Sequence, residues 1–204
     1  MFFKKRSGGS KLTSYYLTSL DGERIKLRPP HTLDYAQWAE LRETNRDFLQ
    51  PFEPTWFEGA TSQNFFERRL SRQKLDWQND RGYAFFIFTH DNRLIGGLNL
   101  NHVCRGAAQY ATLGYWLGED AQGQGYMQEA LELVMEFAAN ALGLHRLQAA
   151  VMPHNERSFR LLERCGFKRE GFAEAYVSIN GEWADHYLYG RTLDALQILP
   201  EDQA

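Results

Sequence analysis

The sequence predicts one α/β domain of the α+β kind, a mixed and mostly antiparallel central sheet of about seven strands flanked by about four helices. Three observations carry this. The runs YAFFIFTH (83–90), RLIGGLNLNHV (93–103) and QYATLGYWLG (109–118) follow one another with only turn-forming residues between them, the mark of an antiparallel meander. A helical apolar stripe over 125–142 then leads into a strand, a short helix and a closing hairpin. Finally, 204 residues with 43% apolar composition fill one core well, and two separate domains would each be small.

Taken in order, ERIKLRP (23–29) alternates polar and apolar residues, the period of a half-buried strand, and Pro29-Pro30 ends it. Over 33–49, Leu33, Trp38, Leu41 and Phe48 fall near helical spacing behind Thr32 or Asp34 as a cap, which predicts one helix, whole or broken. Thr61 or Ser62 caps a second helix carrying Phe65, Phe66, Leu70 and Leu75, up to the turn at Asn79-Asp80. Asp91-Asn92 and Arg105-Gly106 turn the meander. In the next helix Met127, Ala130, Leu131, Val134, Phe137, Ala138 and Leu142 share one stripe, and Gly143 stops it. The run 145–152 is a strand, 155–165 a short helix closed by Gly166, and the last two strands turn at Asn180-Gly181.

Composition removes several functions. A net charge of -3 and a pI near 6.1 do not suit a chain whose main partner is a polyanion. Cys104 and Cys165 stand far apart with no Cys or His at ligand spacing, so neither a disulfide framework nor a metal site is expected. The opening MFFKKRSGGSKLTSYY is basic but has no apolar run after it, and no stretch approaches the ~20 apolar residues of a membrane span. A cytoplasmic protein is expected, with residues 1–20 a flexible segment, 21–195 the single domain and 196–204 a tail.

The stretch GYWLGEDAQGQGYMQEAL (114–131) places three glycines between a strand and a helix. A helix start offers unpaired N–H groups and a partial positive charge, and bare glycines let an anion come close. A P-loop would need Gly-Lys-Ser/Thr, where Gly125 is followed by Tyr126 and Met127; a dinucleotide fingerprint would need glycine at Gln128 and a parallel sheet. An ordinary tight turn into a helix is the remaining plain reading. Downstream, MPHNERS places Asn155 and Ser158 three apart, an N-cap and the third helical position.

These two motifs, in this strand order, resemble the GCN5-related N-acetyltransferases (GNAT), and the likeness covers nearly all of the chain after residue 20. Within that family, IKLRP, FLQPFEPTW (48–56), GYWLGEDAQGQGYMQEAL, MPHNERS, LLERCGFKREG and NGEWADHYLYG look like the RimJ and RimL branch of ribosomal-protein-alanine N-acetyltransferases. Met127 departs from the small residue usual at the end of the glycine motif. The resemblance implies a GNAT fold with a V-shaped splay between the fourth and fifth strands and acetyl-CoA as cosubstrate, with no metal. It implies pantetheine contacts at Tyr115, Trp116 and Leu117, with the Leu117 N–H facing the thioester carbonyl. The pyrophosphate would lie on Gln122, Gly123, Gln124, Gly125, Tyr126 and Met127, and Asn155 and Ser158 would flank the pantetheine arm. Leu162 stands where many members carry a Tyr as general acid; the likeness to the RimL-like branch implies a serine in that role instead, and Ser158 occupies the matching place, where the plain alternative is solvation of the helix start.

An N-terminal α-amine, whose ordinary pKa is about 7.7–8.0, needs no strong base. Glu53, in the aromatic-rich loop, is the first candidate base through water, followed by Asp185 and His186; Val177 replaces the glutamate of the RimL-like pattern. Phe52, Trp56 and Phe57 could line a groove for a peptide end or cover the core. The implied acceptor is the N-terminal alanine of protein five of the small ribosomal subunit. A small amine (aminoglycoside, polyamine or amino acid) is the enzymatic alternative, and a non-catalytic ribosome-assembly module the other, with Lys4, Lys5, Arg6 and Lys11 as a weak ribosome contact. Monomer and homodimer are both compatible, and no membrane partner is expected.

Overall fold

Tyr83–Thr89 is buried at every position, so it can only be a central strand with apolar layers on both faces. In the computed structural model, which describes residues 14–193, the order is β1 (Leu20–Asp21), β2 (Ile25–Arg28), α1 (Tyr35–Thr44), α2 (Arg46–Leu49), α3 (Gln63–Gln78), β3 (Tyr83–Thr89), β4 (Leu94–Cys104) and β5 (Tyr110–Leu117), then α4 (Tyr126–Asn140), β6 (Arg146–Val151), α5 (Glu156–Arg164), β7 (Lys168–Ile179) and β8 (Glu182–Thr192). Short 3-10 turns precede α1, follow α2 and precede α4. The basic residues Lys4, Lys5, Arg6 and Lys11 and the segment 196–204 lie outside the described residues. No described helix is long and apolar enough to cross a membrane.

The strands form one sheet in the order β1-β2-β3-β4-β5-β6-β8-β7. Every neighbouring pair is antiparallel except β5 and β6. Those two pair only at Tyr110–Thr112 against Arg146–Gln148. Beyond that point Leu113–Leu117 and Ala149–Val151 part company, and this is the expected splay.

Alternation along β3 divides the core. Tyr83, Phe85 and Ile87 face α4, where Phe137 meets the rings of Tyr83 and Phe85 at 5.7 and 5.4 Å. Phe86 and Phe88 face the other way, against Trp38 of α1 and Phe66 and Leu70 of α3. Each such fully buried side chain stabilises the fold by roughly 1.5–3 kcal/mol.

Three details differ from the sequence reading, and the break in the first helix decides between the two forms it allowed. β1 is an additional strand of two residues, too short for any periodicity to announce. The first helix breaks at Asn45, whose amide donates to the Leu41 carbonyl at 2.9 Å while its Oδ1 receives the Glu119 N–H at 2.7 Å, fastening the break to the loop after β5. In α3 Leu75 is 50% exposed and Trp77 is buried, because Trp77, seven residues past Leu70, returns to the same face while Leu75 lies about 140° round the helix. Within the segment expected to be free of the fold, Tyr15 is buried, donates to the Pro30 carbonyl at 2.8 Å and meets Trp77 edge-on at 5.4 Å.

Candidate functional site

The splay opens into a cavity of 1220 Å³ running from the starts of α4 and α5 to the α1–α3 side of the sheet. That volume exceeds an ordinary single-ligand pocket. Its two ends differ in character.

At one end stands the glycine loop. Gly123 (φ 71°) and Gly125 (φ 81°) are both left-handed, the region glycine occupies without penalty. Gly125 is the N-cap of α4, and no side chain takes the first helical N–H groups. The two glutamines close the loop on itself, Gln122 donating to the Leu117 carbonyl at 3.3 Å and Gln124 to the Asp120 carbonyl at 2.6 Å. Arg24 braces it from β2's side: Nη1 donates to the Gln124 carbonyl at 2.7 Å, Nε to Glu129 at 3.0 Å, and the guanidinium lies 5.2 Å from the Tyr126 ring. A Cβ at Gly125 would stand 3.1 Å from that guanidinium. Backbone donors, a helix start and a nearby cation suit a pyrophosphate. Met127 is buried in the α4 stripe with the main core and also lines the cavity. Arg24 escaped the sequence reading because it is 100 residues from the loop it supports.

β5 forms the wall. Gly118 donates to the Ile95 carbonyl at 2.9 Å, and antiparallel alternation therefore turns Trp116 and Gly118 toward β4 and the backbone groups of Tyr115 and Leu117 toward the opening. The Tyr115 hydroxyl lies 2.6 Å from the Ser158 Oγ. Burial pushes the Tyr115 phenol well above its usual value, so it keeps its proton. Asn155 caps α5 by accepting the Ser158 N–H at 3.2 Å. Leu162 is fully buried.

At the other end the Trp116 side chain joins the Trp38–Phe66 cluster, so its ring faces away from Tyr115. Arg42 lies 4.2 Å from the Trp56 ring and 5.0 Å from the Trp116 ring. It also forks onto Glu53, Nη1 to Oε1 at 2.6 Å and Nη2 to Oε2 at 2.5 Å, and the Trp56 indole adds a donor to Oε2 at 2.8 Å. Both Glu53 oxygens are thus engaged by neighbouring donors. The tip of the β7–β8 hairpin pins this loop, the Asn180 N–H donating to the Glu53 carbonyl at 2.8 Å and Gln50 to Asn180 Oδ1 at 2.9 Å.

Phe52 lies 5.9 Å from the His154 ring and Phe57 5.0 Å from Phe65. His186 is buried, lines the cavity and has Nδ1 2.9 Å from the Ala184 carbonyl. Asp185 does not join it: its carboxylate accepts the N–H of Ala175 at 2.8 Å, holding a left-handed residue in an irregular stretch of β7. Val177 pairs with Ala184. Cys104 and Cys165 lie outside the cavity lining, and burial pushes the Cys165 thiol up to about 11. Among the described residues no group of three or more His, Cys, Asp and Glu is placed to hold a metal.

Comparison with known proteins agrees with this geometry. The chain is 39% identical over 168 residues to the probable N-acetyltransferase YjcK of Bacillus subtilis, spanning 82% of this chain and 93% of that one. It is 35% identical over 174 residues to the ribosomal protein uS5-alanine N-acetyltransferase of Escherichia coli, spanning 85% and 90%. The structure of RimJ from Mycobacterium smegmatis in complex with CoA-disulfide superposes with a TM-score of 0.79 at 29% identity, over 87% of this chain and 85% of that one. Residues 24–168 match the acetyltransferase (GNAT) domain family, and with a splayed sheet, a glycine-capped helix and a capped α5 arranged around one cavity, the chain belongs to the GNAT acetyltransferase family.

Proposed function

We propose that this acetyltransferase uses acetyl-CoA to acetylate the N-terminal α-amine of a protein that begins with alanine, protein five of the small ribosomal subunit foremost, by direct transfer in a ternary complex. The observation that carries the reading is the cavity with two unlike ends, one a cradle for phosphates and the other a loop-walled mouth. The similarity to the uS5-alanine enzyme supports alanine as the acceptor, and the cytoplasm is the compartment such an acceptor implies.

Acetyl-CoA, when bound, supplies an activated acyl carbon as a thioester. The N–H groups from Gln122 to Met127 hold the pyrophosphate. The Leu117 N–H, turned into the splay, faces the carbonyl oxygen and stabilises the charge that develops there. In this reading the Tyr115 hydroxyl is the donor of the hydrogen bond it shares with Ser158, which directs the serine's own proton at the leaving sulfur; the serine regains a proton from the amine nitrogen as the amide forms. Glu53, the base expected from the sequence, is assigned to positioning, since Arg42 and Trp56 hold both its oxygens. The neutral fraction of the α-amine is enough for attack.

A polycationic small amine fits the mouth poorly, because Arg42 and Arg69 line it against the single carboxylate of Glu53. The test is thiol release from acetyl-CoA with an Ala-starting peptide copied from the ribosomal protein, a Met-starting control, spermidine and kanamycin. Turnover confined to the Ala peptide supports the proposal; turnover with an amine drug or polyamine, or none at all, overturns it.

A further inference from the structure

Arg69 on α3 lines the mouth of the cavity beside Arg42 and Glu53. It is half-buried. Among the described residues no carboxylate pairs with it and no acceptor takes a hydrogen bond from it. Burial, and then the charge of Arg42, push it down to about 10, which leaves it fully charged at neutral pH. Glu53 attracts it from nearby, but that carboxylate is already forked onto Arg42 and bonded to Trp56. Two cations and one anion therefore face the cavity at this end, and the surplus charge is the one without a partner. A half-buried guanidinium that lines a cavity and has no carboxylate of its own is open to one from a ligand, and its planar fork matches a carboxylate. A pyrophosphate in the cradle does not supply that anion, because the cradle lies at the start of α4, whose core residues pack on one face of the sheet, while Phe66 and Leu70 beside Arg69 pack on the other.

We infer that Arg69 is a specificity residue that binds a carboxylate side chain carried close behind the N-terminus of the acceptor, so that the enzyme selects N-termini with Asp or Glu within their first few residues. The inference rests on the peptide-acceptor reading and deepens it: the amine enters from the mouth, and the acidic side chain stays there as an anchor while Glu53 and Arg42 keep the wall in place.

The experiment compares Ala-starting peptides carrying Glu or Asp at positions two to five with matched Gln or Asn peptides, on the wild-type protein and on Arg69→Gln and Arg69→Lys. Wild-type kcat/KM should favour the acidic peptides by ~10–100-fold, Arg69→Gln should erase the preference, and Arg69→Lys should keep part of it, with the KM for acetyl-CoA unchanged throughout. Equal wild-type turnover of acidic and amide peptides overturns this inference and leaves the acceptor reading standing. So does a loss in Arg69→Gln that is the same for both peptide sets, or one that appears in the KM for acetyl-CoA. No turnover of any peptide sinks the acceptor reading and this inference together.

Discussion

Ser158 is held twice, by its backbone N–H on the Asn155 side chain and by its hydroxyl on Tyr115. Ser158→Ala removes only the second hold, because the cap uses the main chain. We expect it to fold normally, to keep its KM for acetyl-CoA, and to lose ~10²-fold or more in kcat, measured by thiol release at saturation. Tyr115→Phe, which leaves the serine in place but unaimed, should lose roughly tenfold. An unchanged kcat in Ser158→Ala would reduce that residue to a helix-start hydroxyl. The pH profile offers an independent check. Only the neutral amine attacks, so kcat/KM should rise with pH and level off above the α-amine pKa of about 7.7–8.0. A profile flat from pH 6 upward would mean that a group on the enzyme takes the proton instead.

Among the elements, the loop before α4 joins conformation to binding. Gly125→Ala forces a left-handed residue and pushes a Cβ toward Arg24, a cost of ~1–2 kcal/mol that should lower Tm by about 2–8 °C and raise the KM for acetyl-CoA. Gly143, also left-handed (φ 62°) but with nothing within 4 Å of a Cβ, is the control. Gly143→Ala should cost similar stability and leave KM alone; equal KM changes in the two variants would count against the cradle. This loop was legible in the sequence because a glycine pattern and a helical stripe are local. The meander, α4, α5 and the closing hairpin were legible for the same reason. Arg24 and the two-residue β1 were not, since the first depends on a partner distant in sequence and the second has too few residues to show a period; Trp77's place follows from helical spacing off Leu70, which the choice of Leu75 overlooked. Glu53 illustrates the harder limit: its position at the mouth could be read, but its engagement by Arg42 and Trp56 is a tertiary fact.

For the whole molecule, β5 and β6 share three residue pairs, so the sheet is weakest where the cosubstrate inserts. Acetyl-CoA should therefore act as a strut. At about 100 times its Kd, binding adds ~2.7 kcal/mol, a Tm rise of about 5–11 °C. Hydrogen exchange should slow at Leu113–Leu117 and Ala149–Val151 more than in β3. Uniform slowing, or none, would place the ligand elsewhere. One further property follows from Gly96 and Gly97, where a Cβ would meet the Trp116 carbonyl oxygen at 2.3 Å and its indole nitrogen at 2.8 Å. The bare pair on β4 works as a keyway that admits β5 in a single register. A slip of one residue would exchange the faces of Tyr115 and Trp116, taking the proton donor's partner and the acceptor wall out of place together. Misfolded molecules should then be wholly inactive rather than feebly active, so that after refolding the specific activity per natively folded chain stays constant however poor the yield.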